Sequence, residues 1–478
     1  MFASLAAAAL GLAIVAQDQT PLRAAPAGNT TTQAMLAPGD LLEVRGERLD
    51  HLQVYDHQRE RAGYVKATQV RPLSVQEADA PSLLAVLRFL RDAPGAEPLG
   101  IAYAAAYLKA APAAAITAEP FDALGVMSER LARRASARNG RPGDSVAAHL
   151  EAAGRYGVKF ISYEREGALQ LCSDGEAFRR VLAMRGEPEA MARAALALTR
   201  HDCVAPDLPP QRRQALDQWR ADVLDRLDGT AFSRLSEPSR NRLRLRRAGV
   251  WAALAHARSR DGGDTAAAAR RAIDELAAVN KTELGDEEQS EYAEAAIRTG
   301  ASRFAAAAQP AQKLQNPQKA LRIALRPGEP GQTCVLLVDA AHDEQRPLWQ
   351  RCTFATVWPA SVRVAPDGRS VALAVQPLPA WTELWLLRAS AEGWRLQVLP
   401  PAATEPALGY VEFAGWVPGN QKLLVAREAR SEGRLRRSFE VLSLETLSAE
   451  KQASSPQWLT LFNKWQDPLW KSQTVSLR

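Results

Sequence analysis

The stretch VRVAPDGRSVALAVQ, Val362–Gln376, decides how the last third of this chain is read. Apolar residues flank Pro366-Asp367-Gly368-Arg369, and Asp-Gly supplies the positive φ that a tight turn between antiparallel strands requires. The arrangement returns in FAGWVPGNQKLLVARE, Phe413–Glu428, where Pro418-Gly419-Asn420-Gln421 follows at an offset of 52 residues. Strand-like runs come after each turn: TELWLLRAS and WRLQVLP after the first, RSFEVLSLETLSAEK after the second. Each half therefore reads as strand, polar turn, strand, longer loop, strand. Further units are expected around Cys334, in PGQTCVLLVD, and at QWLTLFNKW. Residues 317–478 would then hold three or four such units.

Upstream the period changes. From Ser74 to Leu314, apolar residues recur at helical spacing, as in Leu83, Val86, Leu87 and Leu90, or Leu216, Trp219, Val223 and Leu227. Breakers such as APGAEP, GRPGD, LPP and DGGD cut this region into roughly eight to ten helices. No fixed period emerges, so residues 74–314 are expected to form an irregular helical domain and not a repeat array. One interruption, VKFISYEREGALQLC, Val158–Cys172, alternates on both sides of Glu166-Gly167 and predicts a β-hairpin.

Residues 30–73 alternate again. MLAPGDLLEVRG, HLQVYDHQ and ERAGYVKATQVRPL read as short strands punctuated by Pro38-Gly39 and Arg45-Gly46. This order, closing on Gly63-Tyr64-Val65, resembles a bacterial SH3-like domain over about forty residues. The resemblance implies a small β-barrel that contacts cell-wall peptide or a partner protein. Leu52 and Tyr64 stand where that family usually carries tryptophans. APDGRSVALAV in turn resembles the SPDG hairpin of TolB-type, WD40-like propeller blades, which implies a partial propeller at residues 317–478; a twisted sheet or sandwich is the alternative. The expected fold is a multidomain α+β chain: an SH3-like β-barrel, a helical domain carrying one hairpin, and a C-terminal antiparallel, blade-like sheet domain.

The first residues bear on cellular address. FASLAAAALGLAIVA, Phe2–Ala16, is uncharged, of secretory h-region length and too short to span a membrane, so residues 1–25 read as a signal-peptide-like segment. Ala16 is the expected cleavage point, with Ala13 and Ala25 as alternatives. No Lys or Arg precedes Arg23. The four cysteines group two by two; against the alternative of four buried thiols, and among the three pairings that four cysteines permit, this favours local disulfides Cys172–Cys203 and Cys334–Cys352. Each would add about 2–4 kcal/mol and would form in an oxidising compartment. A periplasmic or secreted protein without an integral membrane segment in its mature form is the expectation.

The chain of 478 residues has a net charge of +6, with 60 basic residues nearly matched by 54 acidic ones. Its arginines are scattered, and the densest run, RNRLRLRRAG, Arg240–Gly249, can lie along one solvated helix side. No nucleic-acid partner is therefore expected. The histidines His51, His57, His149, His201, His256 and His342 show no metal-ligand spacing, so neither a metal nor a cofactor is expected. Glycine-built nucleotide and nucleophile motifs are missing. SAEK, Ser448–Lys451, matches the SxxK pattern but falls in a strand-like run, and RHDC, Arg200–Cys203, sets a histidine beside a cysteine without a catalytic geometry. No catalytic residue is assigned. The sequence favours a non-enzymatic binding or scaffolding protein of the bacterial envelope, contacting an envelope protein or peptidoglycan through Tyr55, Tyr64, Trp381 and Trp416. The alternatives are an envelope hydrolase with dispersed carboxylates and a structural subunit of a larger assembly.

Overall fold

A computed structural model describes residues 11–136, 143–165, 168–307, 321–403, 408–419, 421–431 and 434–477. The chain divides into two compact units: Met1–Leu208 with Leu227–Arg234, and Pro209–Arg226 with Leu235–Arg478. Both are mixtures of helix and sheet, so the helices of residues 74–314 are shared between them. The boundary expected at 314–317 lies outside the described residues.

The first unit opens with seven strands: β1 (Gly11–Val15), β2 (Thr20–Arg23), β3 (Thr32–Leu36), β4 (Leu41–Arg48), β5 (His51–Asp56), β6 (Arg61–Lys66) and β7 (Val70–Leu73). They form one antiparallel sheet in the order β3-β2-β6-β5-β4-β1-β7. Every strand sends at least one side chain into a single cluster: Ala13, Val15, Leu22, Leu36, Leu42, Val54, Val65 and Val70. The sheet therefore curls around its own core. The small β-barrel expected for residues 30–73 takes the form of an antiparallel sheet with an open path: β3 and β7 do not pair with each other among the described residues. Pro72, which cannot donate to a ladder, sits accordingly on the end strand β7.

A second correction concerns the N-terminus. Among the described residues the sheet begins at Gly11 and not near Thr30, and β1 lies between β4 and β7 with backbone partners on both sides. Ile14 and Val15 are fully buried. Residues 11–25, read as part of an export signal, thus supply two strands. Their apolar character follows from burial on both faces: Ala13 and Val15 point into the sheet core, whereas Ile14 packs with Leu83, Leu90 and Tyr103 of the helices that follow.

Those helices are α1 (Ala80–Arg91), α2 (Glu97–Ala110), α3 (Glu119–Ala135) and α4 (Asp144–Arg155). After the hairpin β8 (Phe160–Arg165) and β9 (Ala168–Ser173) come α5 (Glu176–Ala183), α6 (Pro188–Leu198), α7 (Pro210–Asp225), α8 (Thr230–Ser233), α9 (Glu237–Asp261), α10 (Thr265–Ala277) and α11 (Asp286–Ser302). Six of them, α1, α2, α3, α6, α7 and α9, carry proline in the first two positions. There the missing N–H is unneeded and φ is already helical. The breakers seen in the sequence are thus helix starts as much as loops. The predicted hairpin forms, with Phe160 opposite Ser173, and its expected tip at Glu166-Gly167 lies outside the described residues.

The second unit is built on β10 (Arg322–Pro327), β11 (Thr333–Val338), β12 (Trp349–Thr353), β13 (Thr356–Val364), β14 (Ser370–Leu378), β15 (Trp381–Ser390), β16 (Gly393–Leu399), β17 (Gly409–Val417), β18 (Lys422–Ser431), β19 (Arg434–Ser443) and β20 (Ala449–Ala453). Strands β10–β12 make one sheet; β13–β16 and β17–β20 are two antiparallel meanders joined by a short parallel contact between β15 and β17. The repeated turns hold Gly368 at φ 66° and Gly419 at φ 91°, in the region glycine tolerates.

The three meanders stack face to face. Val335 and Leu337 of β11 meet Val371, Leu373 and Trp385. The opposite face, Ala372, Leu384 and Leu386, meets Val411, Phe413, Leu423 and Val425. The last free face, Leu424, Ala426, Phe439 and Val441, is covered by Leu459, Phe462 and Trp470. Those three residues belong to or adjoin α12 (Thr460–Trp465) and α13 (Pro468–Leu477). QWLTLFNKW is therefore helical and caps the stack, which corrects the reading of that segment as a further unit.

Candidate functional site

Alternation in β4, β5 and β6 decides which side chains face solvent. Leu42, Val54 and Val65 turn inward, so Glu43, Gln53, Tyr55, Ala62, Tyr64 and Lys66 occupy the outer face. Gln53 is the direct partner of Tyr64, and Tyr55 that of Ala62. Tyr55 and Tyr64 therefore sit diagonally on neighbouring strands, at positions roughly 7–8 Å apart by sheet geometry. Arg23 of β2 lies directly beside Tyr64.

Neighbours that the sequence reading did not single out fix Tyr55. The Arg45 guanidinium lies 4.0 Å from its ring centroid, and the His57 ring meets it edge-on at 4.8 Å. Glu43 holds both: Arg45 Nη2 is 3.1 Å and His57 Nε2 2.6 Å from Glu43 Oε2. Hydrogen bonding from Arg45, then from His57, keeps the Glu43 carboxyl below its usual range. The cluster presents a stacked aromatic–cation pair whose geometry is set by one carboxylate. The signal in the sequence was the spacing Glu43-x-Arg45 opposite Tyr55-x-His57.

The two candidate tryptophans behave differently. Trp381, at the start of β15, is 2% exposed, so its reading as a binding residue is corrected to packing. Trp416 is half-buried, meets the Phe413 ring at a tilt with centroids 5.0 Å apart and packs against the face between the second and third meanders. Both lie in the second unit, whereas Tyr55 and Tyr64 belong to the first.

A small cavity in the second unit lies between Arg303, Phe304, Ser361, Arg363, Glu412 and Trp470. Its volume of ≈ 10 Å³ suits about one water molecule and is far below the roughly 300 Å³ of a small-molecule site. Glu412, 3% exposed, forms an ion pair with Arg303 and accepts a 2.8 Å hydrogen bond from the Trp470 indole. A hydrolytic pair of carboxylates would need a second acid at suitable spacing, and no second carboxylate lines this cavity.

Buried carboxylates held by arginine recur. Glu97, fully buried, receives Arg130 Nε at 2.5 Å and also pairs with Arg134. Burial alone would raise its pKa, but the hydrogen bond from Arg130, helped by backbone N–H groups and Arg134, holds the carboxyl below the ordinary value. Asp122 accepts both a 3.2 Å and a 2.8 Å bond from Arg193, and Asp40 pairs with Arg59 and Arg155. The basic run on α9 is likewise used internally. Arg240 and Arg244 meet Glu237, Arg242 meets Glu288, and buried Arg247 donates to the Leu224 carbonyl at 2.8 Å.

The remaining motifs are also placed. Cys172 is bonded to Cys203 and Cys334 to Cys352, which are direct cross-strand partners on β11 and β12. The sulfur of Cys203 is therefore committed, and RHDC offers no thiol. Ser448 bonds Thr446 at 2.7 Å, just before strand β20, which carries Lys451. Among the described residues, no three His, Cys, Asp or Glu side chains are grouped to hold a metal ion, and no helix is long and apolar enough to cross a membrane. Compared with protein-family models, with curated proteins and with solved structures, the chain matches none.

Proposed function

We propose that this chain is an exported, non-enzymatic binding protein of the bacterial envelope, docking on peptidoglycan or an envelope protein through the outer face of β4, β5 and β6. The observation that carries the reading is the placement of Tyr55 and Tyr64 on one solvent-facing surface, with Arg23, Arg45 and Lys66 around them. Aromatic and arginine side chains dominate the energetics of recognition surfaces. The two disulfides support an oxidising address such as the periplasm.

The test is co-sedimentation with purified peptidoglycan, and capture from envelope extract at low salt, by the native protein and by a Tyr55→Ala/Tyr64→Ala variant. The native protein should be retained and the variant should lose at least about 10-fold in retention with an unchanged melting temperature. Equal retention of the two would move the binding surface elsewhere, and no retention of either would end the reading. Release of soluble fragments from the peptidoglycan during the assay would instead favour a hydrolase.

A further inference from the structure

We infer that proteolytic maturation of this chain stops upstream of Gly11, so that the peptide bonds following Ala13, Ala16 and Ala25 stay intact. The inference rests on the export reading, because it concerns the leader that export removes. Its basis is the position of β1, which is an inner strand and not a tail. Gly11 to Ile14 pair with Val44 to Leu41 of β4, and Leu12 to Val15 pair with Leu73 to Val70 of β7. Three further backbone bonds lock its end: Val15 N–H to Asp40 O, Gly39 N–H to Val15 O and Ala16 N–H to Gln69 O, each 2.9 Å.

Cleavage after Ala16 would remove this strand whole. The two neighbours would each keep a row of unpaired amides and carbonyls facing a gap, in place of satisfied ones. The sheet core would lose Ala13 and Val15, and the cluster under α1 and α2 would lose Ile14. Cleavage after Ala13 would divide the strand, and cleavage after Ala25 would take β2 as well, with the buried Leu22. A leader h-region crosses a membrane apart from the folded domain. The segment 11–15 cannot serve in that way and also fill the slot between β4 and β7.

Two measurements test this. Mass-spectrometric sequencing of the N-terminus of protein isolated from its native periplasm should find a start at or before Gly11; a start at Ile14, Gln17 or Pro26 overturns the inference. A chain that keeps Met1 and remains in the cytoplasm spares β1, which agrees with the inference while it sinks the export reading. Separately, chains starting at Gly11 and at Gln17 are exported behind the same foreign leader and compared by hydrogen exchange. The Gly11 chain should keep its β4 and β7 amides protected, and the Gln17 chain should lose at least about 100-fold of that protection or fail to accumulate. Equal protection in both chains would overturn the inference.

Discussion

The two sheet regions solve the same problem in opposite ways. Strands β1–β7 bury their inner side chains by curling, so a single cluster receives a residue from each strand. The three meanders of the second unit instead bury both faces by stacking, and helices α12 and α13 close the last face. The first solution leaves much of the outer face of β4–β6 to solvent, where Tyr55 and Tyr64 lie. The second consumes its faces in packing, which is why Trp381 is buried and Trp416 half-buried. An aromatic outer face left to solvent is therefore a property of the curled sheet more than of the stack.

The largest effects are expected in the two cores. Ile14→Asp puts a carboxylate where the first sheet and its helices meet, and should cost about 4 kcal/mol or more, measured by urea unfolding followed by circular dichroism. An effect under about 1 kcal/mol would mean that β1 does not bind the sheet together. In the second unit, Glu412→Ala leaves Arg303, 6% exposed, without its carboxylate and should cost about 3–5 kcal/mol. All of the 11 tryptophans fall in that unit, so their emission reports its unfolding directly.

A smaller effect depends on pH. Burial, and after it the charge of Arg260, pulls the His256 imidazole down to about 4. In the unfolded chain histidine titrates near 6.5, so as pH falls below about 6.5 the unfolded state takes up a proton that the folded state refuses. Stability should therefore drop between about pH 6.5 and 4, by about 3 kcal/mol at the lower end. His256→Gln should flatten that part of the profile; an unchanged slope would place the acid sensitivity elsewhere. The smallest change is expected for Arg242→Ala, whose partner pair with Glu288 is solvent-exposed on the arginine side: under about 1 kcal/mol, and weaker still in high salt. A larger loss would show that the α9 basic run does more than decorate a helix.

Local chemistry was readable because it acts over a few residues. Pro366-Asp367-Gly368 marks its turn whatever surrounds it, breakers such as LPP and DGGD mark interruptions between helices, and paired cysteines mark nearby strands or loops; that proline also opens six of the helices came from the structure. In the apolar run Val371–Val375 burial on both faces erases alternation, and the adjoining turn is what identifies the strand. QWLTLFNKW was misassigned for a related reason. Short and aromatic, it could be strand or helix, and only the uncovered face of β17–β19 selects a helical cap.

Turn residues, periodicity and nearby partners were enough to encode the mixed α+β architecture, the repeated hairpins 52 residues apart, the hairpin that carries Cys172 and the two cysteine pairs. Contacts between distant segments were needed to place an inner strand at the end of Phe2–Ala16, to set Glu412 against Arg303, and to put Tyr55 and Tyr64 on one face while Trp381 is packed away. Apolar character records that a residue leaves water; it carries no record of which surface, membrane or sheet receives it, and that is settled by contacts between segments distant in the chain.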